Sequence, residues 1–149
     1  ELSAPVINPL QSHELRSGRD CVILAVGPLV HEALSAAELL QPEVDCSVVD
    51  VRTVKPLDSS TILRLARLTK HVITVEDNVL AGGFGSGVLE LLSSEPGILV
   101  TRLGYPDAFI PQGPIEHLHQ AYSLSAEGIA AAVRSLVSSS VQVVAAKGD

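Results

Sequence analysis

The run Cys21-Val22-Ile23-Leu24-Ala25-Val26 is apolar throughout and is stopped by Gly27-Pro28. A short unbroken apolar run between breakers reads as a strand buried on both faces, a pattern that belongs to sheets covered by helices above and below. Beyond Pro28 the period changes. Ala33, Ala36, Ala37 and Leu40 fall at i, i+3, i+4 and i+7, which puts one apolar stripe on a helix that Pro28 can open and Gln41-Pro42 ends.

The same alternation continues along the chain. Cys46 to Val51 fits a second strand, and Lys55-Pro56-Leu57-Asp58 turns into a helix with Asp58 or Ser59 as N-cap and Ile62, Leu65 and Ala66 toward the sheet. His71 to Val75 is a third strand, Gly82 to Gly87 open a third helix, and Ile98 to Leu103 is a fourth strand after Glu95-Pro96-Gly97. A polar connection rich in Pro and Gly, residues 104–114, precedes a short helix over Ile115 to Ala121 and an amphipathic one marked by Ile129, Ala132, Val133 and Leu136. Strands alternating with helices predict a three-layer α/β fold, a mostly parallel twisted sheet with helices on both faces. The expected organisation is a lead-in over 1–12, one domain over 13–137, and a loosely ordered tail over 138–149 in which Val141 to Val144 could add an edge strand.

Size and charge narrow the function. A chain of 149 residues, 46% of them hydrophobic, should bury roughly 70% of its unfolded surface, enough for a core of its own. No apolar stretch approaches the roughly 20 residues of a membrane helix. The formal charge of −7 disfavours nucleic acid and anionic membranes, and the four aromatics, Phe84, Tyr105, Phe109 and Tyr122, are too few for a base-stacking platform. Cys21 and Cys46 fall in expected buried strands with no Cys-x-x-Cys pair, which suggests reduced thiols and a cytoplasmic, or transit-peptide-trimmed plastid, location. With no initiator Met, signal peptide or basic leader, the chain is expected to be an internal or C-terminal piece of something larger.

Candidate sites cluster at the strand ends. Gly82, Gly83 and Gly85 permit positive φ and close backbone approach, and a helix opening there could cradle a phosphate, with Arg52 and Lys55 nearby. The G-x-G-x-x-G spacing is not met, however, and Glu76 and Asp77 bring negative charge, so packing against a neighbouring domain or subunit is the favoured reading. Glu76 is expected to pair with Arg52 or Lys55, and Asp77 to lie in a turn. His117 and His119 stand two apart, which on a helix does not converge on one ion, and His13, His31 and His71 are scattered, so no metal site is expected. Phe84 occupies the position where a serine nucleophile elbow needs glycine before Gly85-Ser86-Gly87.

Several segments together resemble the C-terminal domain of transketolase-like thiamine diphosphate enzymes. They are residues 13–27, the turn Asp50-Val51-Arg52-Thr53-Val54-Lys55-Pro56-Leu57-Asp58, and Thr74-Val75-Glu76-Asp77-Asn78 with Gly82-Gly83-Phe84-Gly85-Ser86, in order over residues 13 to 137. Residues 103–113 and 122–129 are most similar to the 1-deoxy-D-xylulose-5-phosphate synthase branch, less so to transketolases or 2-oxoacid dehydrogenase E1 β subunits.

The resemblance implies a parent enzyme that joins pyruvate to glyceraldehyde 3-phosphate with release of carbon dioxide, using thiamine diphosphate and magnesium held by upstream domains. It implies no catalytic, cofactor-binding or metal residue in this chain, which would be a structural and dimer-supporting domain, inactive and cofactor-free in isolation. The partners implied are those upstream domains and a second subunit. Arg52, Lys55, Glu76, Asn78, Gly82, Gly83 and Gly85 are the expected interface residues. A small-anion-binding regulatory module is the reading from another class.

Overall fold

The computed structural model describes residues 8–145, with side chains through Ser139. The element order is β1 (His13–Arg16), β2 (Cys21–Ala25), α1 (Leu29–Leu39), β3 (Cys46–Asp50), α2 (Ser59–Thr69), β4 (His71–Val79), α3 (Phe84–Leu92), β5 (Leu99–Tyr105), α4 (Ile115–Ala121) and α5 (Ala126–Ala145). One five-stranded sheet has the order β1-β3-β2-β4-β5. Every pairing is parallel except β1 with β3.

The central strands alternate their side chains between two cores, as the period of two demands. Cys21, Ile23, Ala25, Cys46, Val48, Ile73 and Val75 pack with α1 and α5, whose Ala33, Ala36, Ala37, Ile129, Ala130 and Val133 are buried there. Val22, Leu24, Val49 and Val72 face the other way, against Ile62, Leu65 and Ala66 of α2 and Phe84 and Val88 of α3. Both faces of β2 are therefore covered, which is why its sequence is apolar at every position.

Local chemistry sets the helix ends. The Asp58 carboxylate accepts the Thr61 N–H at 3.2 Å and caps α2, while Lys70 closes it in the left-handed conformation. Ser125 Oγ accepts the Gly128 N–H at 3.3 Å, and Glu32 Oε2 on α1 accepts the Ala126 N–H at 2.8 Å, so α5 begins on a carboxylate carried by the first helix.

Three expectations change. His13–Arg16 forms an antiparallel edge strand that its polar sequence does not announce; pairing with Asp50, Val49 and Val48 supplies the order that hydrophobic patterning does not. β4 continues to Val79, because its Val79 register with Tyr105 of β5 resumes after an irregularity beyond Val75. α5 extends through Ala145, so residues 141–144 continue a helix and do not form an edge strand. Residues 1–7 and 146–149 lie outside the described residues.

Candidate functional site

The connections from the sheet part company between β2 and β4. Helix α1 carries the chain from β2 to β3 on one side, and α3 carries it from β4 to β5 on the other. In open α/β sheets the crevice beyond the strand C-termini at such a switch point is where ligands and partners enter. A cleft of about 220 Å³ lies there, lined by Val26, Val54, Glu76, Asp77, Asn78, Gly82, Gly83 and Phe84.

Glu76 organises its wall. The residue is 2% exposed, and its side-chain oxygens accept the N–H of Phe84 at 2.7 Å and of Gly85 at 2.8 Å. These are first-turn donors of α3, whose N-cap Gly83 provides no side chain, so a strand carboxylate takes the place of a cap and faces the positive end of the helix. The expected pairing of Glu76 with Arg52 or Lys55 is not what forms. Arg52 Nε instead lies 3.4 Å from Asp50 Oδ2, and its Nη1 donates to the Gln11 carbonyl. The anion position at this helix start is filled by the chain's own carboxylate, which removes the geometric basis for a phosphate cradle there.

The glycines act by different means. Gly82 has φ +70°, whereas Gly83 has φ −77° and does not use a left-handed backbone. Gly83 is required by space: a Cβ there would fall against the Glu76 carboxylate and the Val79 carbonyl oxygen. At Gly85 a Cβ would come within 2.6 Å of Thr74 Oγ1 and 2.9 Å of Arg102 Cδ. Of the seven expected interface residues, the cleft brings together Glu76, Asn78, Gly82 and Gly83, while Arg52, Lys55 and Gly85 are not in its lining.

Two sets of contacts near the site are invisible in the sequence. Arg102 of β5 donates from Nη1 to the Leu80 carbonyl at 3.0 Å and to Ser86 Oγ at 2.9 Å, pinning the glycine loop to the sheet. Asp77 is not in a turn but in β4, where it hydrogen-bonds Tyr105 and lies 3.8 Å from His119 Nε2 of α4. Burial and the Asp77 carboxylate push the Tyr105 hydroxyl up to about 12, and its ring meets Tyr122 edge to face at 5.2 Å. No local pattern signals these contacts, since each joins residues 16 or more positions apart, save that both tyrosines are among only four aromatics.

Residues 11–129 match the family described as transketolase, C-terminal domain. The chain belongs to that family. Over 138 residues it is 49% identical to 1-deoxy-D-xylulose-5-phosphate synthase 2 of Geobacter sulfurreducens, covering 89% of this chain and 22% of that protein. It is 50% identical over 124 residues to the 1-deoxy-D-xylulose-5-phosphate synthase of Aquifex aeolicus, covering 81% of this chain and 20% of the relative. Among solved structures, a split-gene transketolase described as an inactive β4 tetramer superposes with a TM-score of 0.82 at 35% identity, over 89% of this chain and 44% of that one. Transketolase from Leishmania mexicana shares the fold, with a TM-score of 0.64 at 18% identity over 87% of this chain and 18% of its own. The chain spans about one fifth of the length of the curated relatives it matches.

A magnesium-bridged diphosphate needs oxygen ligands gathered around the metal and donors for the phosphates. Among the described residues no three His, Cys, Asp or Glu side chains gather to hold a metal ion, and the α3 N-terminus is already filled by Glu76. The start of α3 thus offers no free amide donor at Phe84 or Gly85 to a diphosphate.

Proposed function

We propose that this chain is the packing and assembly domain of a thiamine diphosphate-dependent transferase of the 1-deoxy-D-xylulose-5-phosphate synthase kind, and that it neither binds the cofactor nor turns over substrate alone. In the parent enzyme, pyruvate and glyceraldehyde 3-phosphate yield 1-deoxyxylulose 5-phosphate and carbon dioxide in the cytoplasm or a plastid. The observation that carries this reading is identity near one half to such synthases across most of this chain, confined to about one fifth of theirs. The self-satisfied chemistry of the strand-end cleft supports it. Glu76, buried in the cleft wall, is spent on backbone amides, and a rigid rim of this sort suits docking against upstream domains or a second subunit. The β4 assembly of the 35% identical split-gene transketolase supports association between copies of this fold.

A domain exchange tests the proposal. The matching segment of the Aquifex aeolicus synthase is replaced by this chain, and the chimera is assayed with pyruvate and glyceraldehyde 3-phosphate beside the isolated 149-residue chain. The chimera is expected to assemble and turn over, and the isolated chain to do neither chemistry nor thiamine diphosphate binding. Turnover by the isolated chain, or a folded and assembled chimera without activity, rejects it. The transketolase structural match favours a second reading, a transketolase section, under which the chimera stays inactive while exchange into the split-gene transketolase restores activity.

A further inference from the structure

We propose that Cys21 and Cys46 form a cross-strand dithiol that a mild two-electron oxidant closes into an intramolecular disulfide in the folded chain. The two residues are direct register partners on the parallel strands β2 and β3. Register partners on adjacent strands point to the same face, and both side chains lie in the core shared with α1 and α5. Neighbouring strands run about 4.8 Å apart, within the Cα separation of roughly 4.4–6.8 Å that a disulfide requires. Both thiols are free and buried, so no external thiol competes for either one in the folded state.

The two thiols sit in unequal surroundings. Cys21 Sγ donates to the Val22 carbonyl at 3.8 Å; the neighbouring Cys21 thiol and the Arg16 guanidinium lower the Cys46 thiol against burial and the Asp20 and Asp45 carboxylates, while Cys46 and burial push Cys21 up. Arg16 is fixed in that position by donating to the Cys46 carbonyl and to Asp45 Oδ1. Both cysteines open their strands, directly after the exposed Asp20 and the half-exposed Asp45, so a small reagent needs only fraying of a strand end to reach them.

With an azodicarboxamide oxidant such as diamide the balance is complete. The thiolate of one cysteine adds to one nitrogen of the N=N bond, the sulfur of the other attacks that sulfur, and the S–N bond breaks. Two S–H bonds are lost, one S–S bond forms, and the two protons and two electrons leave on the hydrazine product.

The test treats the folded 149-residue chain with diamide, quenches in acid, and alkylates in denaturant before intact-mass analysis. The expected product is a monomer about 2 Da lighter, the mass of the two hydrogens lost, that takes up no alkyl group, reverts with dithiothreitol, and keeps its native far-UV circular dichroism. Cys21→Ala and Cys46→Ala chains should fail to give it. The proposal is overturned if both cysteines remain alkylatable, if only a disulfide-linked dimer forms, or if closure occurs solely at urea concentrations that unfold the chain. Since the readout is covalent mass in the wild-type chain, an alanine variant that does not fold leaves the test intact.

Discussion

Glu76 Oε2 lies 2.7 Å from the Phe84 amide nitrogen, so a carboxylate near the end of one strand caps a helix that starts eight residues later. The strand, the loop and the helix are thereby one unit, and the cleft wall is as firm as that contact. Glu76→Gln keeps the shape but exchanges one acceptor oxygen for an NH₂ group facing a buried N–H. It should cost about 1–3 kcal/mol, the ordinary penalty of an unmatched buried donor, read from urea unfolding of the isolated chain. A midpoint equal to that of wild type would show that the cap is not made.

Gly82 and Gly83 should respond to alanine for different reasons and by different amounts. Gly82→Ala meets open space but an unfavourable φ of +70°, costing about 1 kcal/mol. Gly83→Ala keeps an ordinary φ yet drives a methyl group into the Glu76 carboxylate and the Val79 carbonyl, which should cost about 2 kcal/mol or more as the cap is displaced. Thermal melts of the two variants give the ranking, and a more stable Gly83→Ala would reverse it.

Asp58 provides a pH signature. Burial resists its ionisation, but donors from Ser12, Ser60 and Thr61 outweigh it and hold the carboxyl at about 2. The unfolded value is about 3.9, so the folded value is depressed, and its stabilisation is present above about pH 4 and lost as pH falls through about 2. Asp58→Asn should lower stability at pH 7 by about 1 kcal/mol, a figure reduced from the full linkage value because the group is partly exposed to solvent. The gap between variant and wild type should narrow between about pH 4 and about pH 2, and a gap that is constant with pH would assign the loss to something other than charge.

His117 and His119 are separated by one residue and should behave unlike each other. His117 is exposed, and His117→Ala should change stability by less than about 0.5 kcal/mol. The His119 side chain is 13% exposed and sits beside Asp77, so His119→Ala should cost about 1 kcal/mol through lost packing and the lost contact. Urea titration of both variants in one buffer checks the contrast.

What was readable in the sequence was whatever depends on short-range pattern. The apolar runs gave β2 and β3, the spacing of Ala33, Ala36, Ala37 and Leu40 gave α1, and Asp58 gave the start of α2. β1 was hidden because His13-Glu14-Leu15-Arg16 carries no period of its own and owes its conformation to β3. At the candidate site the residues were visible but their partners were not. Glu76 stands out as a strand-end carboxylate, yet nothing local distinguishes a carboxylate that meets arginine from one that turns onto backbone amides. The glycines likewise look alike in sequence, and only the fold separates the one needed for its dihedral from the one needed for its lack of a side chain.

The contact between Glu32 and the first residue of α5 has a consequence for how the polypeptide is made. On the ribosome, α1 emerges long before the helix that packs beside it, and a nascent chain not yet past Ala126 would leave the flank of α1 and the parts of β4 and β5 that α5 covers open to solvent. Completion of this layer is thus a late event in synthesis, and a premature stop before that helix would leave a species prone to chaperone capture or proteolysis, however well the other layer had formed.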